Sequence, residues 1–310
     1  MAAGEIPDVT PDLPPPTWRA LLALIGRLPQ ASMSRAMGRI ADVPIPRPLR
    51  RPLLGTFARA VGIDVSEAER PLEDYPTLNR FFVRRLRPGV RRWPDATGVA
   101  GSPVDGTAGQ LGIVTGGRIV QAKGRRYSAA DLLADVDEAR RYEGGAFLTL
   151  YLGPRDYHRV HAPTGGAIPW ASHVPGTLFP VNAAAVSHIP DLFARNERLI
   201  CAVDGPLGRV AVVAIGAYNV GRISAAFDPA WNRPPCTGWV TNRRGSRASR
   251  SYRPPVPVRQ GDELMAFHLG STVVLLFEPG RATLAPDLRP GTRVRLGQPI
   301  AGAPASPAPG

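Results

Sequence analysis

From about residue 95 onward, short apolar runs alternate with glycine and proline turns. The runs fall at 110–114, 118–122, 146–152, 166–173, 199–203, 208–215 and 221–225, and 271–277 and 294–296 complete the series. Runs this short, bounded by turn residues, read as strands rather than helices. The chain from 89 to 300 is therefore expected to be a β-rich domain, sandwich or barrel-like, with one helical insert near 129–141. The fold class is α+β, because the texture ahead of this domain is helical.

Trp18, Leu21, Leu22, Ile25 and Leu28 recur at helical spacing, and Met33, Met37 and Ile40 continue a second helix. Leu49, Leu53, Phe57 and Val61 stand four apart as one face of a third, with Arg47, Arg50, Arg51 and Arg59 elsewhere around it. Pro44, Pro46 and Pro48 separate the second and third helices. Such faces pack on one another and on a main domain, and with Trp, Leu and Arg they also suit a lipid interface. Thr77 is expected to cap a segment from Leu78 to Val83, with Phe81 and Phe82 facing inward.

The expected organisation is thus a flexible N-terminus over 1–16, a helical, membrane-associating region over 17–88, the β-rich domain over 89–300 and a disordered Pro/Ala tail over 301–310. Residues 1–16 lack a basic region followed by an apolar run, so no signal peptide is expected. No uninterrupted apolar stretch reaches the roughly 18 residues that a membrane-spanning helix needs. Cys201 and Cys236 are far apart and form neither a metal-type nor a redox pair. The formal net charge of +13 points to a polyanionic partner, nucleic acid or an anionic membrane. Coding bias toward Arg, Pro and Gly explains the same excess without any partner; 35 prolines and 33 glycines fit that bias. Arginines crowd 242–259, which reads as a basic, mobile loop.

The step Gly270-Ser271-Thr272 lies between a short strand ending at Leu269 and an apolar strand over 273–277, behind a turn at Gly261-Asp262-Glu263. A serine hydroxyl there can attack its own preceding carbonyl if a base removes the proton. Taken alone, most such triplets are ordinary turns into strands. Four further segments carry polar residues that a plain scaffold does not need: 102–106 with Asp105, 151–163 with His158 and His161, 173–179, and 196–198. Asp105 before Gly106 also suits a bare turn. Asp105, His158 and His161 are a chemically reasonable zinc set. His173 and His188 read as surface or capping residues, and His268 receives no role.

In their order these segments resemble the phosphatidylserine decarboxylases. The resemblance rests on Tyr151-Leu152-Gly153-Pro154-Arg155-Asp156-Tyr157-His158-Arg159-Val160-His161, on 192–198, and on Leu269-Gly270-Ser271-Thr272, and it runs from about Tyr75 to Ala301. It implies a proenzyme that cuts itself between Gly270 and Ser271, with Asp105, His161 and Ser271 as the self-cleavage triad. It also implies that Ser271 becomes a covalent pyruvoyl group, with no metal, and that His158 serves the decarboxylation step. The large and small chains of one precursor would stay together, in a homodimer. The implied substrate is phosphatidylserine in an anionic membrane, met peripherally at the cytoplasmic face of the cell membrane, and no nucleic acid is involved. Each basic residue near such a surface is worth about 1 kcal/mol. The rival readings are a zinc-dependent hydrolase on Asp105, His158 and His161, and a non-catalytic basic membrane-binding β-domain.

Overall fold

The computed structural model of the chain describes residues 30–122, 124–217, 223–231, 247–268 and 271–304. The helix expected around Trp18 to Leu28 lies outside them, as do Cys236, Leu269, Gly270, residues 242–246 and the end of the tail.

Two helices come first, α1 (Gln30–Ala41) and α2 (Arg47–Val61). Pro46 caps α2 and Pro48 sits in its first turn, where a missing N–H costs nothing. Gly62 ends it with φ 80° and donates to the carbonyl of Ala58. The buried stripe of α2 is turned by one position from the expected one. Leu54 and Ala58 are buried, whereas Leu49 and Leu53 keep 50% and 54% of their surface. Arg50 fixes that rotation by donating to the carbonyl oxygens of Ile45 (2.9 Å) and Glu73 (3.0 Å). Leu54, Ala58, Ile63, Tyr75 and Phe81 form a small core under these helices. Phe81 belongs to α3 (Leu78–Phe82), which Thr77 caps as expected by accepting from the Arg80 N–H.

The β-rich domain opens with β1 (Val99–Gly101), β2 (Gly106–Ile113) and the ribbon β3 (Arg118–Ala122) and β4 (Arg125–Ser128). The helical insert follows as two pieces, α4 (Ala129–Leu133) and α5 (Val136–Arg140), because Ala134 is left-handed (φ 51°) and Asp135 starts a new cap. Next come β5 (Ala146–Leu152), β6 (Arg159–His161), β7 (Gly166–Val174), α6 (Ala183–His188), α7 (Leu192–Arg195), β8 (Arg198–Gly205), β9 (Gly208–Ile215) and β10 (Ile223–Ala225). The chain closes with β11 (Ala248–Val258), β12 (Glu263–Phe267), β13 (Ser271–Phe277), β14 (Thr283–Leu284), β15 (Arg293–Val294) and β16 (Pro299–Gly302).

Eight strands form one antiparallel sheet in the order β11-β7-β8-β9-β13-β5-β2-β15. Among the described residues it has two edges and does not close into a barrel. Both faces are covered, which is why β13 reads as an unbroken apolar run rather than an alternating one. Val273, Leu275 and Phe277 join a core with Val160, Leu264 and Phe267 of the small sheet β10-β12-β6. Val274 and Leu276 join a second core with Tyr127, Leu132 and Phe193, under the short helices.

Two sequence expectations are corrected here. The described part of the basic segment 242–259 is not a loop: Ala248–Val258 is the edge strand β11, paired with β7. An edge strand tolerates its prolines, which cluster where the register shifts between Ser251 and Val256. The fold also runs past residue 300, since β16 extends to Gly302 and pairs with β1.

Candidate active site

Ser271 is the first residue of β13, and it pairs with Leu152 of β5. On the far side of β5, Thr107 of β2 stands opposite Tyr151. Gly106 and Ser271 thus begin strands two spacings apart, about 10 Å, with β5 between them. Asp105 sits just before Gly106, in the turn that enters β2. That turn needs a glycine, because a Cβ at residue 106 would stand 2.7 Å from the carbonyl oxygen of Tyr151.

The Asp105 carboxylate is buried and fully held. Arg91 grips it bidentately (Nε to Oδ1 3.0 Å, Nη2 to Oδ2 2.6 Å), and the Leu296 N–H donates to Oδ1 at 2.7 Å. The same guanidinium also grips Glu67 at 2.9 and 2.7 Å. Burial works against the charge of Arg91, but the hydrogen bonds to the two carboxylates outweigh it and hold its pKa above the usual arginine range.

His161 ends β6, and its own N–H bonds the carbonyl of Pro103, so the loop carrying Asp105 runs alongside it. The imidazole does not hydrogen-bond to Asp105. Its Nδ1 instead lies 2.7 Å from the carbonyl oxygen of Gly261. A carbonyl only accepts, so the proton is on Nδ1 and Nε2 carries the lone pair. Tyr157 donates its hydroxyl to that Nε2 at 2.9 Å. Gly261 therefore does for this ring what an orienting carboxylate does in a triad. Residue 261 must be glycine, since its φ is 88° and a Cβ would meet the Trp93 indole at 2.7 Å. Burial lowers the pKa of His161, which favours its neutral form.

His158 is buried completely. Its Nδ1 lies 2.7 Å from the carbonyl oxygen of Asp156, which fixes the proton there by the same reasoning. Nε2 has no partner. The ring leans on Phe82 with centroids 4.0 Å apart. Burial, helped by the nearby charge of Arg84, brings its pKa down to about 3. His158 is thus neutral at pH 7 and offers one bare lone pair in an apolar wall. Asp156 holds the turn below it through the Gly153 N–H at 2.7 Å and Arg293 at 2.6 Å.

The other histidines are placed as follows. His173 is buried rather than at the surface, with Nε2 2.8 Å from Glu197, because β7 lies inside the sheet. His188 ends α6, and its carbonyl accepts from Arg125. His268, to which the sequence assigned no role, stands two residues before the undescribed Gly270. Its Nδ1 is 2.9 Å from Asn79 Oδ1 and its Nε2 is 3.1 Å from Ser224 Oγ. Asn79 in turn donates to Asp42 at 2.6 Å, so the strand end before the Gly-Ser step is tied back to the N-terminal helices.

A profile of the phosphatidylserine decarboxylase family matches residues 78–302 of this chain. The chain belongs to the phosphatidylserine decarboxylase family. It is 47% identical over 286 residues to a phosphatidylserine decarboxylase proenzyme of Anaeromyxobacter sp. (strain K), covering 92% of this chain and 99% of that one. It is 41% identical over 283 residues to the proenzyme of that name from Myxococcus xanthus, with 91% and 98% covered. The protein is accordingly a decarboxylase. The matched stretch runs from the first residue of α3 to the last of β16, so the family's region takes in α3 and the whole β-rich domain.

Within that family region, sequence reasoning missed Arg91, Tyr157 and Gly261. Tyr157 carried a signal, lying inside the quoted 151–161 run four residues before His161. Gly261 was legible only as a turn, because its contribution is a backbone carbonyl.

Proposed function

We propose that the chain is a self-cleaving proenzyme that forms a pyruvoyl group from Ser271 and converts phosphatidylserine to phosphatidylethanolamine and carbon dioxide. The observation that supports this reading is the backbone place of Ser271, which opens a strand hydrogen-bonded between β5 and β9, one strand away from Gly106 and the Asp105 turn, while the loop before Asp105 bonds the backbone of His161.

In self-cleavage, the Ser271 hydroxyl oxygen adds to the Gly270 carbonyl carbon, and its proton goes to Nε2 of His161. The bond from that carbon to the nitrogen of residue 271 breaks, and the nitrogen takes the proton, leaving an ester. Loss of the Cα proton and of the ester oxygen then frees residues 1–270 with a carboxylate end. Addition of water and loss of ammonia leave a ketone at residue 271. Asp105 supports this through its charge and through the loop it anchors, while the Gly261 carbonyl orients the ring.

Members of the family depend in general on a pyruvoyl group. The residues present suit chemistry on such a group, because the buried Nε2 of His158, without a partner among the described residues, can accept a proton that the substrate ammonium brings. When present, the ketone supplies an electron sink for the pair left behind by carbon dioxide. The protein's part is to place the substrate and move its protons. Nε2 of His158 takes a proton from the substrate ammonium and returns it to the carbon that has lost the carboxylate. Phe82 keeps water from one face of that imidazole.

The membrane reading rests on α1 and α2. Ile40, Val43, Leu49 and Leu53 are all at least half exposed, beside Arg39, Arg47, Arg51 and Arg59. An apolar face rimmed by arginine suits peripheral docking on anionic lipid at the cytoplasmic face. Among the described residues no helix is long and apolar enough to cross a membrane. A homodimer belongs to the same reading. The zinc rival finds no support in the geometry: the described Asp105, His158 and His161 are not arranged as a metal-holding group, and Arg91 occupies the carboxylate.

The test is the intact mass of the purified protein. The reading requires a chain of residues 1–270 and a 40-residue remainder of the 310 whose first residue lacks an amine. Uncut protein that still releases carbon dioxide from phosphatidylserine sinks it.

A further inference from the structure

Arg84 follows α3, and its backbone is clamped on both sides. Arg159 donates to the carbonyl of Val83 at 2.9 Å, and the Glu69 N–H bonds the carbonyl of Arg85 at 2.8 Å. The side chain is buried, with 4% of the residue exposed. Its guanidinium lies over the Phe81 ring, 5.5 Å from the centroid. Nη2 makes one long bond of 3.5 Å to the Arg155 carbonyl oxygen. Among the described residues Nε and Nη1 have no partner. Among the described residues no carboxylate pairs with Arg84, although Arg91 and Arg159 close by are each matched to acids. A buried cation with two idle donors is costly unless an anion completes it. The loop that takes the Nη2 bond carries a further idle group, Nε2 of His158, whose ring lies on Phe82, two residues before Arg84.

We infer that Arg84 holds the phosphodiester of the lipid substrate. This rests on the function proposed above. The substrate headgroup carries two anions, and only one of them suits a fixed arginine. Decarboxylation spreads the carboxylate's charge and then removes the group, so a guanidinium clamped on the carboxylate would stabilise the ground state and slow the reaction. The phosphodiester is unchanged throughout. Binding it holds substrate, transition state and product alike, and two charged hydrogen bonds fix the headgroup with its amine toward His158.

The test uses the cut enzyme with short-chain phosphatidylserine as substrate and short-chain phosphatidylethanolamine, which keeps the phosphodiester and lacks the carboxylate, as inhibitor. Arg84→Met and Arg84→Gln should still cut. They should raise KM about 10- to 100-fold with kcat changed by less than about threefold, and weaken inhibition by the product lipid in parallel. Arg84→Lys should recover part of the loss. In the absence of lipid, Arg84→Met should melt no lower than the parent, because it removes an unmatched buried charge. Lower melting, or a variant too unstable to purify, assigns Arg84 to the scaffold and overturns the inference. A raised KM with kcat unchanged or higher and with unchanged product inhibition places the carboxylate on Arg84 and overturns it too. A parent chain that neither cuts nor releases carbon dioxide overturns the functional reading, and this inference with it.

Discussion

The Tyr157 hydroxyl donates to Nε2 of His161 at 2.9 Å, the very lone pair that a serine base must use. Burial pushes the Tyr157 phenol well above its usual range, so it remains a donor at neutral pH. The base is therefore aligned but engaged. Tyr157→Phe frees Nε2, and the variant should cut at Gly270-Ser271 at least as fast as the parent, followed as loss of full-length mass after synthesis. A Tyr157→Phe chain that stays whole would place the phenol in the proton path.

His161 and His158 should separate cleanly. His161→Ala should leave full-length protein, since the base proposed to take the Ser271 proton is gone. His158→Ala should cut and yet turn over slower by roughly 10²–10⁴, the range for a lost acid–base group. Undiminished turnover in cut His158→Ala removes it from the mechanism.

His158 also sets an acid limit on the fold. Its folded pKa, about 3, lies below the model-peptide value of 6.5, so the unfolded chain binds the proton more readily. Stability attached to this group is present above pH 6.5 and drains as pH falls toward 3, at about 1 kcal/mol per unit. Burial shifts His161 the same way. Denaturant titrations of His158→Phe between pH 7 and 4 should show a shallower decline than the parent; parallel curves would contradict the neutral, buried state.

Arg91 joins Glu67 and Asp105, and its side chain is only 8% exposed. Arg91→Ala strands two carboxylates and should cost about 3–5 kcal/mol, the range for breaking a buried pair from one side. Chemical denaturation of the uncut Ser271→Ala background isolates this cost from any effect on cleavage. A loss below about 1 kcal/mol would mean that water serves the carboxylates as well as Arg91 does.

Membrane docking is best tested by single charges rather than by deletion, because α2 shares a core with Tyr75 and Phe81 and its removal would uncover them. Ile40→Glu and Leu53→Glu change only exposed positions. Both should lower sedimentation with phosphatidylglycerol vesicles while leaving self-cleavage unaffected. Unchanged sedimentation would put the docking face elsewhere.

Strand positions were legible because each short apolar run ends in a turn residue; 118–122, 146–152 and 208–215 match the observed β3, β5 and β9 residue for residue. The inward side of α2 was not, because Leu53 and Leu54 are equally apolar, and the choice falls to long-range partners, the Tyr75 and Phe81 core and the Arg50 bond to Glu73. Asp105, His158 and His161 were legible as chemistry-bearing side chains in a recognisable order. Their partners were not. Gly261 acts through a main-chain oxygen, and Arg91 was one of many arginines until the fold brought Glu67 to it. The edge strand β11 escaped notice because arginine, serine and proline are poor strand formers that an outermost strand nonetheless accepts.

The position of β13 has one more consequence. It lies fourth from one edge and fifth from the other, hydrogen-bonded to β9 and β5, and the residues after it supply β15 to the same sheet and β14 and β16 to another. A chain severed before Ser271 thus has its two pieces interleaved, and heating it would release a second molecule rather than merely loosen the first. Refolding would become a second-order search by a 40-residue peptide for a slot in the middle of a sheet, slow at low concentration and exposed to aggregation. For the severed protein, the temperature at which activity disappears would then mark a rate of loss that dilution makes permanent, while the uncut Ser271→Ala chain could still melt and return.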